Sequence, residues 1–135
     1  MAAMPETFHI SLVTPERSML DEDALYADIP AHDGRFGVMH NRAPLLFKLG
    51  IGKLRLLLSD NRERLYLLEG GFAQMRNNRL TLLCEQATAA DEIVPGEARE
   101  LFEQALARMP LSDEQLAEKE HDLLIARTML AIKED

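Results

Sequence analysis

His32, Asp33 and His40 fall within one short stretch, AHDGRFGVMHNRAPLL, running from Ala31 to Leu46. Imidazoles and a carboxylate at that density could hold a divalent cation and activate water, as in a small β-barrel metalloenzyme. The other two histidines, His9 and His121, are distant in sequence. No histidine pair has the i, i+4 spacing that sets two ligands on one helical face, and no CxxC pair exists to complete a zinc set. The pattern therefore reads as ordinary surface or loop histidines. A metal site assembled in three dimensions is the alternative reading.

Other chemistry is equally hard to build from these residues. The serines are Ser11, Ser18, Ser59 and Ser112, and none lies in a GxSxG elbow. Cys84, the lone cysteine, sits in the apolar run LTLLCEQ, which reads as a core position in a reducing compartment. Gly34 and Gly37 form GxxG, and Gly50 and Gly52 form GxG. Neither pair opens a helix after a strand with the further glycine that a dinucleotide fold needs. These glycines, and Gly70-Gly71, fit bends and bulges where strands turn corners. Most carboxylates fall in turns or on helix faces, where solvated charge is the default. No catalytic constellation emerges, and no metal or cofactor is expected.

The bulk numbers narrow the field further. The chain has 135 residues, 47% hydrophobic and 28% charged, enough for one modest domain with an appendage. A formal net charge of −8 argues against nucleic-acid binding, which draws most of its affinity from cationic contacts to phosphate. Aromatic content is 5% with no Trp, so stacking platforms are scarce. No window approaches the roughly 20 apolar residues of a membrane span, and the start lacks a basic region followed by a long apolar run. No signal peptide is expected, and membrane association is expected only through partners.

Positioning falls to two regions of different texture. From Phe8 to about Thr88 the spacing predicts strands. Phe8, Ile10 and Leu12 alternate with polar neighbours, as do Leu25, Ala27 and Ile29. The segment from Gly52 to Glu85 reads as strand, turn, strand, strand, turn, strand, with SDNR and RNNR as the turns. Short strands at close spacing indicate a β-sandwich or barrel. At QATAADEIVPGEA the texture changes, and Pro95 suits the first turn of a helix carrying Ala98, Leu101, Phe102, Ala105, Leu106 and Met109 on one stripe. MPLS interrupts, Ser112 and Gln115 form a capping box, and a second helix follows. The expected architecture is β plus α: a β-sandwich over 1–90, then an antiparallel two-helix hairpin over 91–135. Residues 1–90 hold 11 acidic and 10 basic side chains, net −1, and residues 91–135 hold 12 and 5, net −7. Two short acidic helices must pack on the β domain or on another protein.

In that order of elements, DGRFGVMHNRAPLLFKLGIGKLRL resembles a signature of the epsilon subunit of F-type ATP synthases. The matching features are Gly34 and Gly37, then Ala43-Pro44-Leu45-Leu46, then the apolar-glycine strand start from Gly50 to Leu54. LYLLEGGFAQMRNNRLTLLCEQA and TPERSML are similar to further family segments, so the resemblance spans essentially the whole chain. It implies a non-catalytic rotor subunit that clamps the central-stalk gamma subunit and rests on the c ring. Ion-driven torque would pass through it to the catalytic alpha/beta hexamer, which the hairpin could also touch to regulate hydrolysis. The implied place is the cytoplasmic face of a bacterial plasma membrane. The stretch carrying Asp33, Arg35, His40, Asn41 and Arg42 would lie toward the c ring. Two competing readings are a β-sandwich adaptor docking an unrelated partner and the metalloenzyme using His32, Asp33 and His40.

Three departures from the family pattern stand out. His40-Asn41-Arg42 replaces the usual Pro-Gly-His or Pro-Asn-His before Ala-Pro-Leu. Where some members bind ATP through Ile-Asp-x-x-Arg-Ala, this chain reads Ile93-Val94-Pro95-Gly96-Glu97-Ala98. Val94 replaces the aspartate and Glu97 the arginine, so an anion stands where a phosphate would need a cation. The hairpin of some bacterial members inhibits hydrolysis with basic side chains, but residues 112–135 here hold 7 acidic and 3 basic residues, net −4.

Overall fold

In a computed structural model, which describes residues 6–134, seven strands are followed by two helices. The strands are β1 (Phe8–Val13), β2 (Ser18–Ala31), β3 (Gly34–Val38), β4 (Leu45–Lys48), β5 (Ile51–Leu58), β6 (Glu63–Arg76) and β7 (Arg79–Ala89). A single 3₁₀ turn at Ala90–Glu92 leads to α1 (Pro95–Ala107) and α2 (Asp113–Glu134). Among the described residues no helix is long and apolar enough to cross a membrane.

The long strands β2, β6 and β7 each serve both layers of the sandwich. In one layer the order is β3–β2–β5–β6–β7, using the second half of β2, the first half of β6 and the end of β7. In the other it is β2–β1–β7–β6–β4, using the remaining halves. β1 joins antiparallel to β2 and parallel to β7, so the sheet closes on itself. Alternation does the sorting. Phe8, Ile10 and Leu12 point inward and meet Ile29, Leu54, Leu56, Leu68, Met75, Leu80 and Leu82 in one core.

Sharing a strand between layers requires a sharp bend, and the sequence supplies one. Gly70 and Gly71 have φ of +77° and +116°, and at this point β6 passes from β5 to β4 as its neighbour. A Cβ on Gly71 would lie 2.0 Å from the Leu83 carbonyl oxygen. The corner role expected for these glycines is thus realised, but within one continuous strand rather than between two. On β2 the equivalent bend is a bulge, where Leu25 is skipped between the pairs Ala24↔Leu58 and Tyr26↔Leu57.

Turns follow the predicted chemistry. Asn77 and Asn78 both take positive φ, 52° and 59°, between the paired Arg76 and Arg79, the backbone that a two-residue hairpin of right-handed twist needs. Asn61 does the same in SDNR, where Asp60 accepts the Arg62 amide at 3.1 Å.

The helices lie against the outer face of the first layer. Leu67, Ile93, Ile125 and Ile132 form a second apolar cluster, flanked by Ile51, Leu65, Leu101 and Met129. Fully burying a side chain such as Leu67 stabilises the docked state by about 2 kcal/mol. Lys133 Nζ donates to the Ala90 carbonyl at 2.7 Å and ties the end of α2 to the start of the appendage. Ser112 Oγ accepts the Gln115 amide at 3.1 Å, as a cap should. The Gln115 side chain accepts instead from the Leu111 amide at 2.8 Å, one residue before the position a reciprocal box would use.

Candidate functional site

β3 divides the stretch singled out in the sequence. Asp33 is exposed in the two-residue turn between β2 and β3, beside His32, whose amide donates to the Lys48 carbonyl at 2.9 Å. His40, Asn41 and Arg42 lie beyond the other end of β3. Five extended residues span roughly 16 Å, so His32 and Asp33 cannot share a metal ion with His40. Among the described residues no group of three His, Cys, Asp or Glu side chains could hold one. The metalloenzyme reading fails on this geometry.

Arg35 is drawn back onto its own sheet. Its Nε donates to Asp28 Oδ1 at 2.9 Å, and its terminal nitrogen donates to the carbonyls of Asp28, at 3.3 Å, and Lys53. It is exposed but occupied in locking β3 to β2 and β5.

Residues 40–42 are each held by a contact. His40 pairs with Glu6 through Nε2. The Asn41 amide donates to Asn78 Oδ1 at 2.8 Å. The Arg42 guanidinium sits 5.1 Å above the Phe36 ring. Phe36 in turn stacks on Phe47 at 5.0 Å, which joins the edge strands β3 and β4 of the two layers.

The outer face of the second layer is the bare one. Phe72 and Leu83 are directly paired across β6 and β7, yet remain 54% and 55% exposed. With Val13, Pro15 and Cys84 they line an apolar groove of about 370 Å³. Leu46, at 69% exposure, continues the apolar surface along β4 toward residues 39–44. Phe72 falls in the GGF segment quoted above. Leu83 was not legible as a surface residue, because its run LTLLCE gives three successive apolar residues and no clear alternation.

Electrostatics contribute on the same face. His9 on β1 bridges two carboxylates of β2, Asp21 through Nε2 and Asp23 through Nδ1 at 3.0 Å. Ser11 Oγ also donates to Asp21, at 3.0 Å. The hydrogen bonds to Asp21 and then Asp23 hold the imidazole above its ordinary pKa, and Asp21 moves below the usual carboxylate range in response. His9 is therefore more than an ordinary surface histidine. The cluster could be recognised only once β1 and β2 were known to pair with Ser11 opposite Asp21.

The remaining candidates are structural. Cys84 is 4% exposed, and burial pushes its thiol up to about 12, far from a reactive thiolate. Val94 caps α1 without a side-chain hydrogen bond, and Glu97 lies exposed in the first turn, where an anion favours the helix dipole. Neither offers a donor to a phosphate.

The body so described has relatives. Residues 7–90 match the family defined as the ATP synthase delta/epsilon chain β-sandwich domain. This chain belongs to that family. It is an epsilon-type subunit, a non-catalytic part of ATP synthase. The ATP synthase epsilon chain of Rhodopirellula baltica is 36% identical over 119 residues, covering 88% of this chain and 92% of that one. The chloroplastic epsilon chain of Pisum sativum is 31% identical over 127 residues, covering 94% and 92%. In fold, the epsilon-type chain is similar to a chain in the Euglena gracilis mitochondrial ATP synthase OSCP/F1/c-ring structure, with TM-score 0.86, 20% identity, and coverage of 96% and 83%. A chain of the Tetrahymena thermophila central stalk/c-ring structure matches with TM-score 0.67, 14% identity, and coverage of 96% and 98%.

Proposed function

We propose that this epsilon-type chain works in the central stalk of an F-type ATP synthase, clamped to gamma and seated on the c ring. In that place it carries ion-driven torque toward the catalytic alpha/beta hexamer. The observation that supports this reading is the bare apolar face of Phe72, Leu83 and Leu46, on the layer that the helices leave uncovered. Gamma is its occupant. A sandwich whose layers share three strands resists shear between them, which a torque-bearing wedge requires.

Because β3 separates the two ends of the expected ring edge, they serve different partners. Residues 40–42 run directly into Leu46 and belong with the gamma-facing side. The exposed turn at His32-Asp33, pinned by Arg35, is left for the c ring. Residues 1–90 form the rotor-seated domain and residues 91–135 a hairpin domain reaching toward the hexamer. The chain sits at the cytoplasmic face of a bacterial plasma membrane and touches the membrane only through these partners.

Co-purification is the test. Wild-type chain should carry gamma and the hexamer, whereas Leu83→Glu should fold and lose both. Retention of gamma by Leu83→Glu would move the docking face elsewhere, and absence of both gamma and the hexamer from the wild-type chain would favour the adaptor reading.

A further inference from the structure

Asn78 joins three segments that are far apart in sequence. Its backbone carbonyl accepts the His9 amide at 3.1 Å. Its side-chain Nδ2 donates to the Thr7 carbonyl at 2.7 Å. Its Oδ1 accepts the Asn41 amide at 2.8 Å. The β6–β7 turn itself needs only two residues of positive φ, which glycine would also supply. Asn77, the other turn residue, is exposed, while Asn78 is half-buried against the rest of the body.

Asn41 is the more demanding partner. It holds φ of 58°, a conformation that costs free energy in a non-glycine residue unless its surroundings fix it. The bond from Asn78 fixes it at the middle of residues 39–44. On one side His40 is tied to Glu6, and on the other Arg42 is laid over Phe36. Without the Asn78 side chain the Asn41 amide has only water, and the path of the chain between β3 and Leu46 is no longer set.

We propose that Asn78 is a positioning residue for the stalk: it presets residues 40–42 for gamma without touching gamma itself. This rests on the reading of the β4–β6–β7 face as the gamma-facing side. Preset loops bind more tightly because the ordering cost is met before association.

The test measures affinity of the full chain for gamma in the assembled hexamer–gamma complex, alongside the thermal midpoint of the free chain. Asn78→Gly keeps the turn and removes both side-chain bonds. Asn78→Asp keeps the acceptor for Asn41 and loses the donor to Thr7. We expect Asn78→Gly to bind gamma about fivefold more weakly, the worth of one hydrogen bond, and Asn78→Asp to stay within about twofold of wild type. Equal weakening in both variants, tracking the fall in midpoint, would make Asn78 a purely structural residue and overturn the proposal. Normal binding by Asn78→Gly, with Leu83→Glu impaired, would also overturn it while leaving the docking face intact. Normal binding by Leu83→Glu would remove the gamma-facing reading itself, and the proposal with it.

Discussion

Glu69 Oε1 lies 4.0 Å from His121 Nε2, and this pair is the polar link between the corner of β6 and the middle of α2. The Glu69 side chain is only 17% exposed. Burial raises its carboxyl above the ordinary range; His121 opposes this, and Asp122 adds repulsion. With the Gln86 side-chain amide assigned in its swapped orientation, its nitrogen reaches both Glu69 oxygens at 2.9 and 3.2 Å and, like His121, works against the burial that raises the carboxyl. Asp122 itself is committed to Arg108 at 2.6 Å, the bond that clasps α1 to α2. Because the folded pKa is raised, the folded state holds the Glu69 proton more tightly than the unfolded chain. That contribution is complete below the unfolded value and lost as pH rises through the folded one. Glu69→Gln abolishes it. Urea titrations of both proteins between about pH 4 and pH 7 should show the variant gaining steadily on wild type as pH rises. A constant difference across that range would contradict the assignment.

His9 gives a second titration with a site-specific readout. Its imidazole, hydrogen-bonded to Asp21 and Asp23, should titrate above the 6.5 of a free histidine in an NMR pH series. The stability it lends is present below 6.5 and declines as pH rises through the raised value. Since Asp21 is the larger cause, Asp21→Asn should lower the inflection more than Asp23→Asn. The opposite ranking would show that the contacts are weighted differently.

Two glycines should respond to alanine in opposite directions. At Gly71 the added methyl meets the Leu83 carbonyl at 2.0 Å with φ at +116°, so the shared strand cannot keep its bend. Gly71→Ala should destabilise the chain by about 3 kcal/mol or more, read as a lower denaturation midpoint. Gly96 lies in the first turn of α1 with nothing within 4 Å of the methyl and no positive φ. Gly96→Ala should stabilise by about 0.5 kcal/mol through helix propensity and a less free unfolded chain.

These contrasts mark what a linear reading could reach. Phe8, Ile10 and Leu12 declared a strand, Pro95 and Ser112 declared helix starts, and Gly70-Gly71 declared a corner, because each signal is local. Closure of the sheet was out of reach. The parallel pairing of β1 with β7 joins residues about seventy positions apart, for example Ile10 with Leu80, and nothing in either segment names the other. The same gap hid the His9 cluster and the reach of Asn78 to Thr7 and Asn41, which exist only in a particular register. The stretch from Asp33 to Arg42 looked like one edge because its residues are neighbours in sequence. An intervening strand is enough to send them to opposite ends.

The acidic hairpin sets the last prediction. Residues 112–135 carry net −4, from 7 acidic and 3 basic side chains, and Glu118 and Glu120 are exposed on α2. The family resemblance implies that basic hairpins of some bacterial members inhibit by pairing with an acidic segment of the beta subunit. A hairpin of the sign seen here would be repelled there, so inhibition by the charge-pairing mode is expected to be weak. Deleting residues 91–135 should raise ATP hydrolysis by the complex less than about twofold. Deletion also uncovers Leu67 and Ile51, however, so the shortened chain will be less stable for reasons unrelated to regulation. Charge reversal in the full chain avoids that difficulty. Glu118→Lys with Glu120→Lys changes the local charge by four without touching the apolar cluster that docks the helices. If attraction to an acidic segment is what the native hairpin lacks, the double variant should inhibit hydrolysis at low salt and release it as salt screens the contact. Several-fold activation on deletion, or no response to charge reversal at any ionic strength, would mean that the hairpin acts on the hexamer by some means other than charge.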